Sequence, residues 1–206
     1  MAVPAWFAEI LDGELKPWVT LTVDQMAQLC HHFELLKRWN KRMNLTSIEP
    51  GPETVIRHYC ESVLFAVRLP NEPRSIADIG SGAGFPGIPM AVLRPYWKVT
   101  LVESNQRKAV FLREATRSLP NIDVRSCRAE DVRNKFDLLV SRAVAAKKVL
   151  ALIPRLAPRI GLMIGEDDIP LLKSAKDVAW SEPVRLPWGD RRVCMFGEYV
   201  PRETQR

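Results

Sequence analysis

The chain has 206 residues, 47% of them apolar and 26% charged. That is enough for one substantial core with a small appendage, and ordinary for a soluble globular protein. No apolar run reaches the ~18–20 residues of a membrane helix. No basic-then-apolar leader opens the sequence, so a cytoplasmic protein away from the membrane is expected. The net charge of +6 suits a polyanionic partner and equally suits plain solubility. Cys30, Cys60, Cys127 and Cys194 are scattered without a C-x-x-C pair, and adjacent His31 and His32 point apart on a helix. Neither a disulfide framework nor a metal site is expected.

Residues 1–60 read as helical. Thr22 and Gln25 have the spacing of a capping box, and Val23, Met26, Leu29, Cys30, Phe33 and Leu36 follow at helical intervals. The helix runs into LLKRWNKRMNLTSI (35–48), where Lys37, Arg38, Lys41 and Arg42 surround Trp39. Such a cluster serves as a solvated face, or as an RNA-facing surface with an aromatic interleaved. A second helix is expected over Pro52–Val67.

From Arg74 the pattern becomes alternating strands and helices. Strands are expected at 75–79, 98–104, 122–127, 136–143 and near 161–165. Helices are expected near 89–93 and over 107–119, 146–156 and 171–178. Two closing runs, VRLPW and RRVCMFGEYV, flank the turn residues Gly189 and Asp190 and must pair antiparallel. A mostly parallel sheet with helices on both faces and an antiparallel end is an α/β, Rossmann-like fold of the methyltransferase type.

The chemistry concentrates in SIADIGSGAGFPGIPMAV (75–92). Glycines at the carboxyl end of a first strand allow positive φ and close backbone approach to a ligand. Gly82, Gly84 and Gly87 spell the G-x-G-x-x-G of dinucleotide sites. Asp78, Gly80, Gly82 and Gly84 spell the D-x-G-x-G-x-G form of S-adenosylmethionine enzymes. Glu103, closing the second strand, suits a ribose in either case. Glu130, past the third strand, favours the methyl donor, and no dehydrogenase-type Tyr–Lys or His–Asp arrangement is evident. His58 is the nearest approach to a general base, though a structural role explains it as well.

These segments, with WNKRMNLTSI (39–48), IRHYCESV (56–63), LVES…RKAVFLRE (101–114), CRAED (127–131) and VSRA (140–143), fall in an order that resembles the RsmG (GidB) family. The resemblance covers roughly residues 20–165. It implies a class I S-adenosylmethionine methyltransferase with a mostly parallel seven-stranded sheet and an antiparallel closing hairpin. A helical extension (1–70) would pack on the methyltransferase domain (71–206). It further implies methyl transfer to N7 of a specific guanine in 16S ribosomal RNA near the decoding centre, on naked RNA or a small-subunit particle; nothing in the sequence pattern requires more than a monomer.

Carried over by position, Gly80, Gly82, Gly84 and Phe85 line the cofactor, Glu103 takes the ribose, and Ala129 and Glu130 flank the adenine. Arg142 reaches the methionine end and the reaction pocket, where no catalytic base is assigned. Lys37, Arg38, Lys41, Arg42, Arg128 and Arg142 face the RNA, and Trp39 and Phe85 offer stacking planes. Trp39 also suits packing of the helical extension. Where the family carries a lysine this chain has Ile164, followed by an acidic edge of Glu166, Asp167 and Asp168. A small-molecule or protein methyltransferase, a non-catalytic RNA-binding factor and a nicotinamide oxidoreductase are the competing readings.

Overall fold

A computed structural model describes residues 3–70 and 75–200. The expected division between residues 70 and 71 therefore lies outside the described residues. Helices α1 (Ala5–Leu15) and α2 (Val23–Asn40) open the chain. At α2, Gln25 N–H donates to the Thr22 hydroxyl and Thr22 N–H to the Gln25 side chain, so the expected capping box forms. The helix stops where the Asn40 side-chain oxygen accepts the N–H groups of Leu45 and Thr46 at 2.9 and 3.0 Å. The next helical stretch is α3 (Pro52–Thr54), a π-helical turn (Val55–Cys60) and α4 (Glu61–Arg68). The widened turn carries Arg57, His58 and Tyr59, and such turns are frequent at functional sites.

The alternating half supplies β1 (Ser75–Ile79), α5 (Gly87–Leu93), β2 (Lys98–Val102), α6 (Gln106–Ala115), β3 (Ile122–Arg125) and β4 (Leu138–Arg142). It continues with α7 (Ala146–Leu150), α8 (Ile153–Leu156), β5 (Arg159–Gly165), α9 (Ile169–Lys173), β6 (Val178–Trp180), β7 (Val184–Arg185) and β8 (Arg192–Tyr199). The strand path is β3-β2-β1-β4-β5-β8-β6, with two-residue β7 also paired to β8. The pairs among β1 to β5 are parallel, and β8 is antiparallel to β5, β6 and β7. The order reverses at β1, which puts a crevice at the carboxyl ends of β1 and β4.

Three local expectations are corrected. Residues 146–156 form two short helices, because Pro154 has no N–H to continue the first one. Residues 171–178 end as strand rather than helix: Val178 pairs with Tyr199 along the edge of long β8. The sheet has eight strands, counting the short β7 beside the expected seven.

Strand alternation divides the interior. Ile76, Leu101, Val140 and Met163 face α1, α2, α4, α5 and α6, in one cluster with Phe7, Phe33, Tyr59 and Phe65. Ala77, Val102, Leu139 and Leu162 face α7, α8 and α9. The helices before β1 thus share the core of one sheet face. Phe65 on α4 is fully buried, stacks on Phe196 of β8 at 5.5 Å, and lies over Gly161 of β5, where a Cβ would come within 2.8 Å of its ring.

A polar tie joins the same helices to the glycine loop. His32 of α2 is buried, with Nε2 2.9 Å from the Ala83 carbonyl and Nδ1 2.8 Å from the Tyr59 hydroxyl. A carbonyl can only accept, so Nε2 carries the proton and Tyr59 donates to Nδ1. Burial holds the imidazole down to about 4.

Phe65→Ala is expected to cost about 3–5 kcal/mol, read as a lower urea midpoint. His32 is neutral in the fold, whereas the unfolded chain takes up its proton as pH falls below about 6.5. Its contribution is therefore complete above that value and is lost on descending towards about 4. His32→Gln should flatten the fall in unfolding free energy over this window by about 1.4 kcal/mol per pH unit. Burial raises Asp78 to about 7, which acts in the opposite sense, so the difference between variant and wild type is the quantity to measure.

Candidate active site

The glycine loop begins at buried Asp78, the penultimate residue of β1. Its Oδ2 accepts the Gly87 N–H at 3.0 Å, which fixes where α5 starts. Between these points Gly80, Gly82 and Gly84 have φ of 72°, 58° and 93°, the left-handed region that disfavours side chains. A Cβ at Gly80 would also meet Val144 at 2.5 Å, and one at Gly84 would meet Ile88 at 2.4 Å.

Two clefts share Gly80 and Val144. One, about 410 Å³, is lined by Gly80, Ser104, Cys127, Arg128, Ala129 and Glu130. The other, about 250 Å³, is lined by Gly80, Gly82, Phe85, Glu103, Lys108 and Arg142, with His58 and Thr46 across from the loop. Glu103, 7% exposed, accepts the Gly82 N–H at 2.9 Å and the Asn105 N–H at 2.7 Å. Its carboxylate is therefore held at the edge of the glycine loop. The turn Ala129–Asp131 is braced by Arg155, which donates to the Ala129 carbonyl at 3.1 Å and to the Val132 carbonyl. Gly84 lines neither cleft; it packs behind the loop.

A third cavity, about 580 Å³, adjoins the second, sharing His58, Arg142, Ala143 and Val144 with it. Arg142 ends β4 and is followed by Ala143 in the left-handed region (φ 59°), so the chain turns sharply there. Its Nη2 lies 3.0 Å from Oε2 of Glu61, a fully buried carboxylate. Arg192 of β8 reaches the same oxygen at 3.0 Å, and Arg57 lies 3.4 Å from the other. Burial pushes the Glu61 carboxyl above its usual range, while Arg142, Arg192 and Arg57 pull it back. Burial also lowers Arg142 to about 10, against the attraction of Glu61, so it stays charged at neutral pH. His58 lies across from it, with Nε2 2.8 Å from the Thr46 hydroxyl. Burial first, and then Arg142, bring this imidazole to about 3. It is neutral at physiological pH, with one ring N–H and no cationic charge.

One expectation about aromatic planes changes, that for Phe85. Phe85 is 6% exposed, with His58 at 4.8 Å and Tyr59 at 5.0 Å, so its ring supports the loop rather than offering an open face. Trp39 packs against Phe111 of α6 at 5.8 Å, as suits anchoring of the helical extension. Arg38, Lys41 and Arg42 line a separate cleft of about 590 Å³ with Trp39. That cleft shares no lining residue with the glycine-loop clefts, and Lys37 lies outside its lining. The edge after β5 is not acidic in balance: Glu166 meets Arg185 at 2.8 Å and Asp167 pairs with Arg191. Ile164 is a buried wall of the arginine cavity.

His32, Tyr59, Arg57, Glu61 and Arg192 were not singled out from sequence. Only Arg57 and Glu61 left a signal there, the i,i+4 spacing of an ion pair on a helix. Among the described residues no helix is long and apolar enough to cross a membrane.

Comparison with known proteins bears on the family and the fold. A protein of Nitrosomonas europaea named ribosomal RNA small subunit methyltransferase G is 44% identical over 124 residues, 58% of this chain and 57% of that protein. One of the same name from Bacillus cereus is 37% identical over 142 residues, 65% of this chain and 59% of its own length. The chain therefore spans under two thirds of the length of these relatives. Among solved structures, an S-adenosylmethionine-dependent methyltransferase from Aquifex aeolicus superposes with TM-score 0.58 at 15% identity, covering 73% of this chain and 94% of that one. A ribosomal protein L11 methylase from Lactobacillus delbrueckii gives 0.55 at 19%, covering 68% and 77%. At such identities these likenesses establish the fold alone, that of class I methyltransferases. The sequence model of the family described as rRNA small subunit methyltransferase G matches residues 25–164, and the chain belongs to that family, GidB.

Proposed function

We propose that the protein transfers a methyl group from S-adenosylmethionine to N7 of a guanine in 16S ribosomal RNA. The observation that carries this reading is the pair of clefts that meet at Gly80 and Val144, at the carboxyl ends of β1, β2 and β4. They have Glu103 at one station, the Ala129–Glu130 turn at another and charged Arg142 at the end that opens to the third cavity. The residues fit the donor. Gly80 and Gly82 bring bare backbone to the cleft, and Glu103 keeps a buried carboxylate for the ribose hydroxyls beside the Gly82 N–H. The Ala129 amide and Glu130 suit the adenine edge. Gly84 acts from behind by shaping the loop, and Phe85, which lines the cleft, props it.

The bound donor supplies an electrophilic methyl group on a sulfonium. Guanine N7 offers its lone pair without first losing a proton, so the protein's task is alignment, which is worth up to ~7–11 kcal/mol in favourable cases. A neutral His58 beside Arg142 agrees with that division of labour: one side chain excludes water, the other holds charge near the reacting base. Arg38, Lys41 and Arg42 around Trp39, with Lys37 and Arg128, give the RNA backbone further cations, and binding should weaken with salt. The substrate is naked RNA or a small-subunit particle, the protein acts as a monomer, and its location is the cytoplasm.

The test is transfer of labelled methyl to small-subunit RNA from a strain lacking this gene. The expected product is 7-methylguanine alone. Arg142→Ala should lower kcat at least about 100-fold, the scale of losing a charged group at the reacting centre. Glu103→Ala should weaken donor binding about tenfold, or ~1.4 kcal/mol, in equilibrium dialysis. Donor binding without transfer to RNA would redirect the assignment to a small-molecule or protein acceptor.

A further inference from the structure

Glu61 is surrounded by more positive charge than it can balance. Three guanidinium groups converge on one buried carboxylate, with the nearest contacts at 3.0, 3.0 and 3.4 Å. Two positive charges are left over at the inner end of the third cavity. Among the described residues Arg142 Nη1 and Arg192 Nε are buried with no hydrogen-bond partner, and Arg57 Nε faces only Glu61, at 3.4 Å. Arg142 is itself only 9% exposed. Buried donors of this kind are costly when unmet, and more so when the group is charged. The cavity is roomy, and all three arginines line it. Glu53 and Asp168 also line it, but both are exposed to water, which screens them. His58 contributes no charge. A missing Cβ at Gly189 leaves the space into which Arg192 folds: a methyl there would meet its Cδ at 2.8 Å.

Guanidinium forks with free N–H groups match an oxyanion that presents two oxygens in one plane. Only Arg142 of the three also lines the glycine-loop cleft, so Arg57 and Arg192 stand apart from the donor's expected position. We propose that the cavity over Glu61 seats one phosphodiester of the substrate RNA, held by Arg57, Arg142 and Arg192, beside the base in the adjoining cleft. The identification of the phosphate as an RNA phosphate rests on the function proposed above. The presence of an oxyanion seat does not. Arg192 stands opposite Gly165 on the neighbouring strand, one residue beyond Ile164, and so brings a cation to this end of β5 from β8.

The experiment uses Arg57→Gln and Arg192→Gln in the full chain, with Arg57→Lys and Arg192→Lys as charge-preserving controls for folding around Glu61. RNA affinity is measured across a salt series, donor affinity by dialysis, and unfolding temperature in orthophosphate against chloride of equal ionic strength. Each Gln variant should weaken RNA binding about tenfold and lower the salt slope by about 0.7–0.9, with donor affinity within twofold of wild type. The Lys variants should keep the slope and lose a smaller factor in affinity. Orthophosphate should raise the unfolding temperature of wild type but not of the Gln variants. Unchanged RNA affinity and slope in the Gln variants would overturn the proposal. A loss of donor affinity in their place would assign the anion to the donor's carboxylate and overturn it equally. A wild-type protein that responds to orthophosphate yet methylates no RNA would leave the oxyanion seat standing and remove the RNA as its source.

Discussion

The bond from Gly87 N–H to Asp78 Oδ2 sets the geometry on which the site depends. A carboxyl buried at the end of a central strand needs a partner, and the first turn of α5 supplies an N–H that has none within its own helix. Satisfying both brings helix and strand so close that a Cβ at Gly87 would lie 2.7 Å from the same carboxylate oxygen and 2.3 Å from Leu101. The chain between them must then reverse within a few residues, which is why three glycines adopt positive φ. Bare backbone at the cleft is thus a product of closing this turn. The second oxygen of Asp78 has no hydrogen-bond partner among the described residues, consistent with burial raising the carboxyl to about 7.

What could be read from sequence and what could not divide along the range of the interactions. The glycine loop, Asp78, Glu103 and the strand–helix alternation are local patterns, and local sterics or capping chemistry gives each a meaning on its own. The capping box at Thr22 and the mostly parallel sheet belong to the same class. His32 was invisible because its role depends on Ala83 and Tyr59, 51 and 27 residues away. Arg192 joins Glu61 only because β8 inserts between β5 and β6, a matter of sheet order that no window of sequence reports. Phe85 misled for a related reason. Its place in the loop suggested an open ring, and only the helices of the first half fill the space over it.

Charge is distributed by depth. At the surface, Glu166, Asp167, Arg185 and Arg191 pair with one another, and such exposed pairs contribute little energy. Inside, burial keeps His32 and His58 neutral, whereas Arg142 keeps its charge because Glu61 lies against it. The interior therefore presents a fixed cation next to uncharged rings, so changes around neutral pH leave the charge states of Arg142, His32 and His58 steady. That steadiness derives from the helices packed before β1, which supply Glu61, His58 and His32 alike.

Ala143 gives this arrangement a stiffness of its own. A non-glycine residue held at φ 59° sits in a narrow well, about 1–2 kcal/mol above the ordinary regions, with few neighbouring conformations to explore. Arg142 and Val144 lie on either side of it, one turned to the buried carboxylate and the other to Gly80. Glycine at this position would relieve the strain but free the pivot, letting the guanidinium wander from its bearing. A β-branched residue would break the turn. Substitution at this one alanine is therefore confined between looseness and collapse, although no binding or chemical role is assigned to its methyl group.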